Sequence, residues 1–264
     1  DNCLGSDCDY LEDCFISKAR RRAQEADVLV VNHHLLFADM ALKDEGFGEL
    51  LPGANAFILD EAHQLPDTAS NFFGTTVSAN QLLELVRDSV AEEIREAGES
   101  RELRVRADKL EKSIRDMRLA FGEMQRRGAW NEVADGRDLQ QAIATVAELL
   151  EVLSTGLKSL ATRGKGLESC HQRSELLLER FTALTGTTPE GMIHWFETHT
   201  RSFTINFTPM DVAKLFQQQL SAHPCAWIFT SATLAVGESF QHFSEQLGLE
   251  GAVTQRWDSP FDYP

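Results

Sequence analysis

The sequence lacks a phosphate-gripping loop. Nowhere in its 264 residues does Gly-x-x-x-x-Gly-Lys-[Ser/Thr] occur, the pattern whose backbone N–H groups cradle nucleotide phosphates. Gly164-Lys165 comes nearest, with Ser159 where the first glycine belongs and Gly166 where the hydroxyl belongs. An apolar run of ~18 residues or more is also missing, so no segment is a candidate bilayer-crossing helix. No secretory pattern opens the chain. It does not begin with Met, and DNCLGSDC reads as the interior of a longer chain. A basic excess is absent too: 25 Lys and Arg against 41 Asp and Glu leave a net charge of −16 and a pI of about 4.9. That excludes a protein that coats nucleic acid non-specifically and confines any nucleic-acid contact to local basic patches. Internal repeats and low-complexity tracts are absent. With 42% apolar and 25% charged residues, a packed core is expected, in one large domain or two ordinary ones.

What is present begins with FILDEAHQLPD, Phe57–Asp67. Ala56–Leu59 is a short apolar run that reads as a strand buried on both faces, and Asp60-Glu61-Ala62-His63 stands at its carboxyl end. Ligands of open α/β sheets bind at that end of the strands. Asp60 suits Mg²⁺ held through water, and Glu61 suits a residue that polarises an attacking water. His63 would face the γ-phosphate side. The plainer alternative is a helix start carrying acids, which the helix dipole favours anyway. Val28–Val31 and Ala226–Thr230 read as two further buried strands. Thr230-Ser231-Ala232-Thr233 ends the second of these. Its hydroxyls can bond both to the acidic box and to a neighbouring element, which would couple nucleotide state to nucleic acid; alone it is a Ser/Thr turn.

Cys3, Cys8 and Cys14 crowd the N-terminal end, in an odd total of 5 cysteines. Zinc usually takes closer Cys pairs or a His. A cubane iron–sulfur cluster accepts wider spacing but wants four thiolates. Cys170 and Cys225 read better as buried, inert thiols, and a disulfide among the first three stays open. Lys18, Arg20, Arg21 and Arg22 lie in a predicted helix, FISKARRRAQEAD, and form either a phosphate-binding patch or a solvated face. Asn32, His33 and His34 follow the first strand and suggest a functional loop entering a helix.

From about Gln81 to Thr185 strand-like runs vanish. Leu139, Ile143, Val146, Leu149, Leu150, Leu153, Leu157 and Leu160 repeat at helical spacing, and another helix is predicted over Leu103–Arg127. Three to five helices are expected, with breaks at Gly128, Gly136, Gly164-Lys165-Gly166 and Gly186. Their arginines, Arg104, Arg118, Arg126 and Arg127 among them, interleave with acids and read as helix solubility. Ser202–Phe207 is an expected edge strand, and DVAKLFQQQL an expected helix capped near Asp211.

Three clustered cysteines, ADVLVVNHHLL, a strand ending in DEAH, a helical insert, TSATL and SPFDY together resemble the iron–sulfur superfamily 2 helicases of the XPD/DinG type. The bacterial DinG/YoaA branch is nearest, with the intact DEAH and NHHLL on its YoaA side. The resemblance implies an α/β fold: a partial RecA-like (P-loop NTPase) parallel sheet with a large all-helical, arch-like insertion. It implies the tail of a cluster domain at 1–26, the first helicase domain at 27–74 and 201–257, the arch at 75–200, and a linker from 258–264. Asp60 and Glu61 match the Mg²⁺ and water-activating acids, His63 the coupling position, Thr230–Thr233 the third helicase motif, and Cys3, Cys8 and Cys14 three ligands of a [4Fe-4S] cluster. The same resemblance implies ATP and Mg²⁺ as cofactors and 5′→3′ unwinding in the bacterial cytoplasm. Its implied partners are single-stranded and forked DNA and the chi subunit of the polymerase III clamp loader. Without the loop and a fourth cysteine, the chain by itself is expected neither to hydrolyse ATP well nor to hold a complete cluster. It is also expected to self-associate through open sheet edges. The competing reading is a non-catalytic DNA-gating or protein-docking module built on the helical insert.

Overall fold

The computed structural model describes residues 8, 10–44, 51–98, 101–122 and 125–257. Cys3 and the linker at 258–264 lie outside them. In chain order the elements are α1 (Phe15–Glu25), α2 (His33–Asp44), β1 (Ala56–Leu59), α3 (Leu65–Phe72), β2 (Thr75–Ser78), α4 (Ala79–Glu92), α5 (Arg101–Ala120), β3 (Arg127–Ala129), α6 (Arg137–Leu160), α7 (Lys165–Thr185), β4 (Met192–Thr198), β5 (Phe203–Pro209), α8 (Val212–Ala222), β6 (Ala226–Phe229) and α9 (Gln241–Leu247). They pack as two units, Lys18–Phe73 with Pro209–Pro264, and Gly74–Thr208 with the described part of Asp1–Ser17.

The unit containing Lys18–Phe73 is built on a two-stranded parallel sheet. β1 and β6 run in register from Ala56↔Ala226 to Leu59↔Phe229. Strand side chains alternate between faces, and here the faces differ. Leu59 is buried, and Phe57, Trp227 and Phe229 pack against a core that includes Leu36, Phe37, Leu65, Phe216 and Leu247. Phe57 stacks on Trp227 with ring centroids 4.5 Å apart. On the other face Ile58 is 69% and Ile228 46% exposed. The expectation of strands buried on both faces is thus corrected. Val28–Val31 is no strand at all: Val28 and Val30 are exposed and the stretch is irregular. A strand needs a neighbour's hydrogen-bonding ladder, and among the described residues β1 and β6 pair only with each other.

Asn32 follows as the cap of α2, its Oδ1 accepting from Leu35 N at 2.8 Å. Asp211 caps α8 in the same way, accepting from Lys214 N. The helix predicted over FISKARRRAQEAD is α1, and it buries none of its side chains.

The second unit is not all-helical. Four helices, α4 to α7, pack with a four-stranded sheet of order β2-β5-β4-β3. β2 pairs antiparallel with β5, and β3 with β4. Ser202–Phe207 therefore belongs to an interior strand rather than an edge. Its inward residues Phe203, Ile205 and Phe207 were too few to reveal a sheet between long helical patterns. The leucine periodicity holds: Leu139, Val146, Leu150, Leu153, Leu157 and Leu160 are buried, with Ile143 and Leu149 packed beside them. Each such burial contributes about 1.5–3 kcal/mol. Gly136 and Gly164 stand at the N-caps of α6 and α7, and Gly186 at the C-cap of α7. The helix expected to reach Arg127 stops at Ala120, because Gly122 turns the chain with φ +95°. Its carbonyl accepts from the buried Arg118 at 2.7 Å.

Candidate active site

The parallel register that pairs Leu59 with Phe229 brings the next residues of both strands side by side. Thr230 N donates to Leu59 O at 2.9 Å, and Ala62 N to Thr230 O at 3.0 Å. The two short motifs, far apart in sequence, thereby become one site at the carboxyl ends of β1 and β6. The Thr230 hydroxyl donates to Asp60 Oδ1 at 2.9 Å. Nδ1 of His63 lies 2.9 Å from Ser231 Oγ and 3.4 Å from a Glu61 carboxylate oxygen. Ser231 Oγ also accepts from Thr233 N at 3.2 Å, tying down the turn. Ala232 and Thr233 are exposed on that turn.

Glu61 has φ 49° and ψ 40°, the only non-glycine residue with positive φ among those described. Left-handed backbone costs a β-carbon-bearing residue about 1–3 kcal/mol and clusters at functional sites. Here it turns the chain sharply out of β1 into the short helical turn Ala62–Gln64. Ala62 is fully buried and anchors that turn, while Asp60, Glu61 and His63 stay exposed.

The donor chemistry fits a hydrated divalent cation. Asp60 and Glu61 offer hard oxygen atoms to solvent, and among the described residues no Lys or Arg pairs with either. Mg²⁺ prefers one or two carboxylates and keeps the rest of its shell as water or phosphate oxygen. No group of three or more metal-ligating side chains is assembled among the described residues. Of the three cysteines expected to hold a cubane cluster, two are described. Cys8 and Cys14 are free, half-buried thiols on successive tight turns, Leu11 N to Cys8 O and Cys14 N to Leu11 O. They supply two of the four thiolates such a cluster needs.

The remaining predicted site residues are elsewhere. Lys18, Arg20, Arg21 and Arg22 are exposed on α1. Asn32 is occupied as a cap. His34 sits edge-on to Phe72 at 5.8 Å, a packing contact, and His33 is half-buried at the start of α2.

Gly164-Lys165-Gly166 turns out to carry an anion of the protein's own. The Glu96 carboxylate accepts from Gly166 N at 3.1 Å and Leu167 N at 2.9 Å, capping α7. Burial pushes the Glu96 pKa up, but those N–H donors and Arg95 outweigh it and hold the carboxyl below its usual range. A β-carbon at Gly166 would fall on the Glu92 carboxylate, so glycine serves close packing there and not phosphate approach.

Several structural contacts had no sequence signal. Three of the arginines read as solubilising are structural: Arg104 pairs with the fully buried Glu93 at 3.2 Å, and Arg126 and Arg127 lie over Phe196 and Trp195. Their partners are distant in sequence or on another strand, and local charge patterning cannot reveal them.

A sheet-end carboxylate pair tied to a hydroxyl turn is an arrangement suited to polarising water beside a bound cation. No family model matches the chain. It is homologous to bacterial ATP-dependent DNA helicases. The YoaA helicase of Escherichia coli strain K12 is 42% identical over 263 residues, covering 100% of this chain and 41% of the relative. YoaA of Haemophilus influenzae is 41% identical over 265 residues, again covering the whole chain and 41% of the relative. The DinG helicase of Photobacterium profundum is 25% identical over 296 residues, covering 95% of this chain and 42% of the relative. The chain thus spans about two-fifths of the length of the curated relatives it matches.

Proposed function

We propose that this chain is a segment of an ATP-dependent DNA helicase and carries its cation-holding, water-activating and coupling residues. The observation that carries the reading is the joined pair of motifs: Thr230 on Asp60 and Ser231 on His63. In this reading residues 27–74 and 201–257 belong to a RecA-like helicase domain, 75–200 form an arch-like insertion, and 1–26 end a cluster domain.

Asp60 would hold Mg²⁺, and the ion supplies charge neutralisation at the phosphates. The Thr230 hydroxyl fixes the Asp60 carboxylate in one orientation and leaves its second oxygen free to help hold the ion. Glu61, projected by its left-handed backbone, accepts a proton from the attacking water. His63 hydrogen-bonds the Ser231 hydroxyl, so a shift at the box is felt on the turn after β6. That turn relays nucleotide state toward single-stranded and forked DNA. Unwinding with 5′→3′ polarity, a role in replication and repair, a cytoplasmic location and contact with the chi clamp-loader subunit follow from the YoaA likeness and belong to the same reading. A [4Fe-4S] cluster on Cys3, Cys8 and Cys14 needs a ligand from outside this chain.

The competing account is a non-catalytic gating or docking module. Glu61→Gln separates the two, in a protein extended to include a phosphate-binding loop. The helicase reading expects ATP turnover to fall by about 10²-fold or more with single-strand affinity unchanged. Wild-type turnover would remove Glu61 from the mechanism.

A further inference from the structure

Among the described residues, a cleft lies away from the DEAH box. It is an open groove of about 790 Å³ between α6 and α7, closed at one end by Gly186–Pro189 and Phe207. That volume is in the range of ligand-sized sites. It lies wholly within the unit Gly74–Thr208. Its spacing is fixed from beneath: Ser174 Oγ donates to Ser154 Oγ at 2.9 Å, both side chains being buried.

The lining has two characters. Leu178, Ala183 and Phe207 give apolar surface. Glu151, Glu175 and Glu179 give three exposed carboxylates against one cation, Lys158. Glu151 and Glu179 have no ion-pair partner among the described residues, and Glu175 has only His171, at 3.6 Å. His171 Nδ1, in the same lining, is buried without a hydrogen-bond partner among the described residues. Buried polar atoms are seldom left so.

Elsewhere in this unit the buried or half-buried acids are paired, Glu93 with Arg104, Asp88 with Arg173 and Glu92 with Arg95, whereas the three carboxylates of the groove are exposed beside its apolar surface and open to a partner. The groove's charge repels a phosphate backbone, and its apolar surface does not suit a freely hydrated metal ion. A chain segment that alternates cationic and apolar side chains satisfies both characters at once, as when an amphipathic helix lies in a groove.

We propose that the α6–α7 groove docks a lysine- or arginine-bearing, part-apolar segment of a partner protein. This goes beyond the helicase reading and does not depend on it.

The test uses the whole chain and a fluorescein-labelled amphipathic Lys/Leu helical peptide as the probe, read by anisotropy. Two triple variants remove equal charge. Glu151→Gln with Glu175→Gln and Glu179→Gln strips the groove; Glu84→Gln with Glu148→Gln and Glu168→Gln strips exposed carboxylates outside it. The groove triple is expected to weaken the peptide about tenfold, the scale of three exposed ion pairs, and the control triple less than about twofold. Ala183→Trp, which fills the groove without changing charge, is expected to weaken the peptide comparably. Circular dichroism and urea midpoints verify that each variant folds. Equal loss in both triples would mean bulk attraction to an acidic protein and would overturn the proposal. So would an Ala183→Trp variant that binds like wild type. Spermidine displacing the peptide as well as unlabelled peptide does would assign the groove to small cations, and displacement by a single-stranded oligonucleotide would assign it to DNA; either result also overturns it.

Discussion

Thr230 and Asp60 stand 170 positions apart in sequence, yet the hydroxyl of one donates to the carboxylate of the other at 2.9 Å. Nothing else in the described structure holds the Asp60 side chain in place. Thr230→Val removes the donor and keeps the β-branched shape. The pair is exposed, so stability is expected to change by less than about 0.5 kcal/mol. In a protein extended to include a phosphate-binding loop, ATP turnover is expected to fall about tenfold, with Thr230→Ser restoring most of it. Turnover unaffected by the valine would show that Asp60 needs no such tether.

The Glu96 cap gives a pH-dependent prediction. Folding lowers its pKa from 4.5, so the fold favours the ionised carboxyl. That contribution is complete above pH 4.5 and is lost as the pH falls through the lowered folded value. Glu96→Gln is expected to cost about 1 kcal/mol at neutral pH, the usual scale of a lost helix cap. Urea unfolding of both proteins from neutral pH down through the carboxylate range checks this. The stability difference should shrink as the pH drops, and a constant difference would rule out the ionised cap.

How much of this was legible in the sequence depends on the range of the interaction concerned. Helices α6, α7 and α8 were legible because leucine spacing, terminal glycines and Asp211 act within a few residues of one another. The acidic box and Thr230–Thr233 were legible as motifs, although their contact depends on the strand register. The sheet around β5 was missed because three-residue β3 and four-residue β2 carry almost no periodic signal. Val28–Val31 was misread because β-branched apolar composition records what a segment is suited to pair with, and among the described residues it has no such neighbour. Glu96 on Gly166 could not be foreseen, since a carboxylate 70 residues away leaves no local trace.

Ile58 and Ile228 are direct neighbours across β1 and β6 and both face solvent. Parallel sheets are normally covered on both faces, and an uncovered one is a template for association. The isolated chain is expected to self-associate through this face and the open edges beside it. Light scattering should report an apparent mass that rises with concentration from the 29.5 kDa of the monomer. Ile58→Lys with Ile228→Lys is expected to return it toward that value, since two charges on adjacent strands repel a second copy. A wild-type chain that stays monomeric at all concentrations would refute the idea. Association insensitive to the double variant would place it on another surface.

Arg20, Arg21 and Arg22 occupy a helix that buries none of its side chains, and no acidic partner engages them among the described residues. In a chain of net charge −16, three unpaired guanidinium groups in sequence form a local exception to the overall field, which is what an acidic DNA-binding protein requires. Their consecutive placement fans them around α1, so they suit contact with a flexible single strand better than with one rigid groove. Each phosphate neutralised on single-stranded DNA adds about 0.7 to the slope of log affinity against log salt. Replacing all three with Ala is expected to flatten that slope by about 2 and to weaken binding most at low salt. Fluorescence anisotropy with a labelled oligonucleotide, titrated across salt concentrations, measures both quantities. A patch that only solvates the helix would leave slope and affinity as they are in the wild type, and α1 would then lie off the path of the DNA.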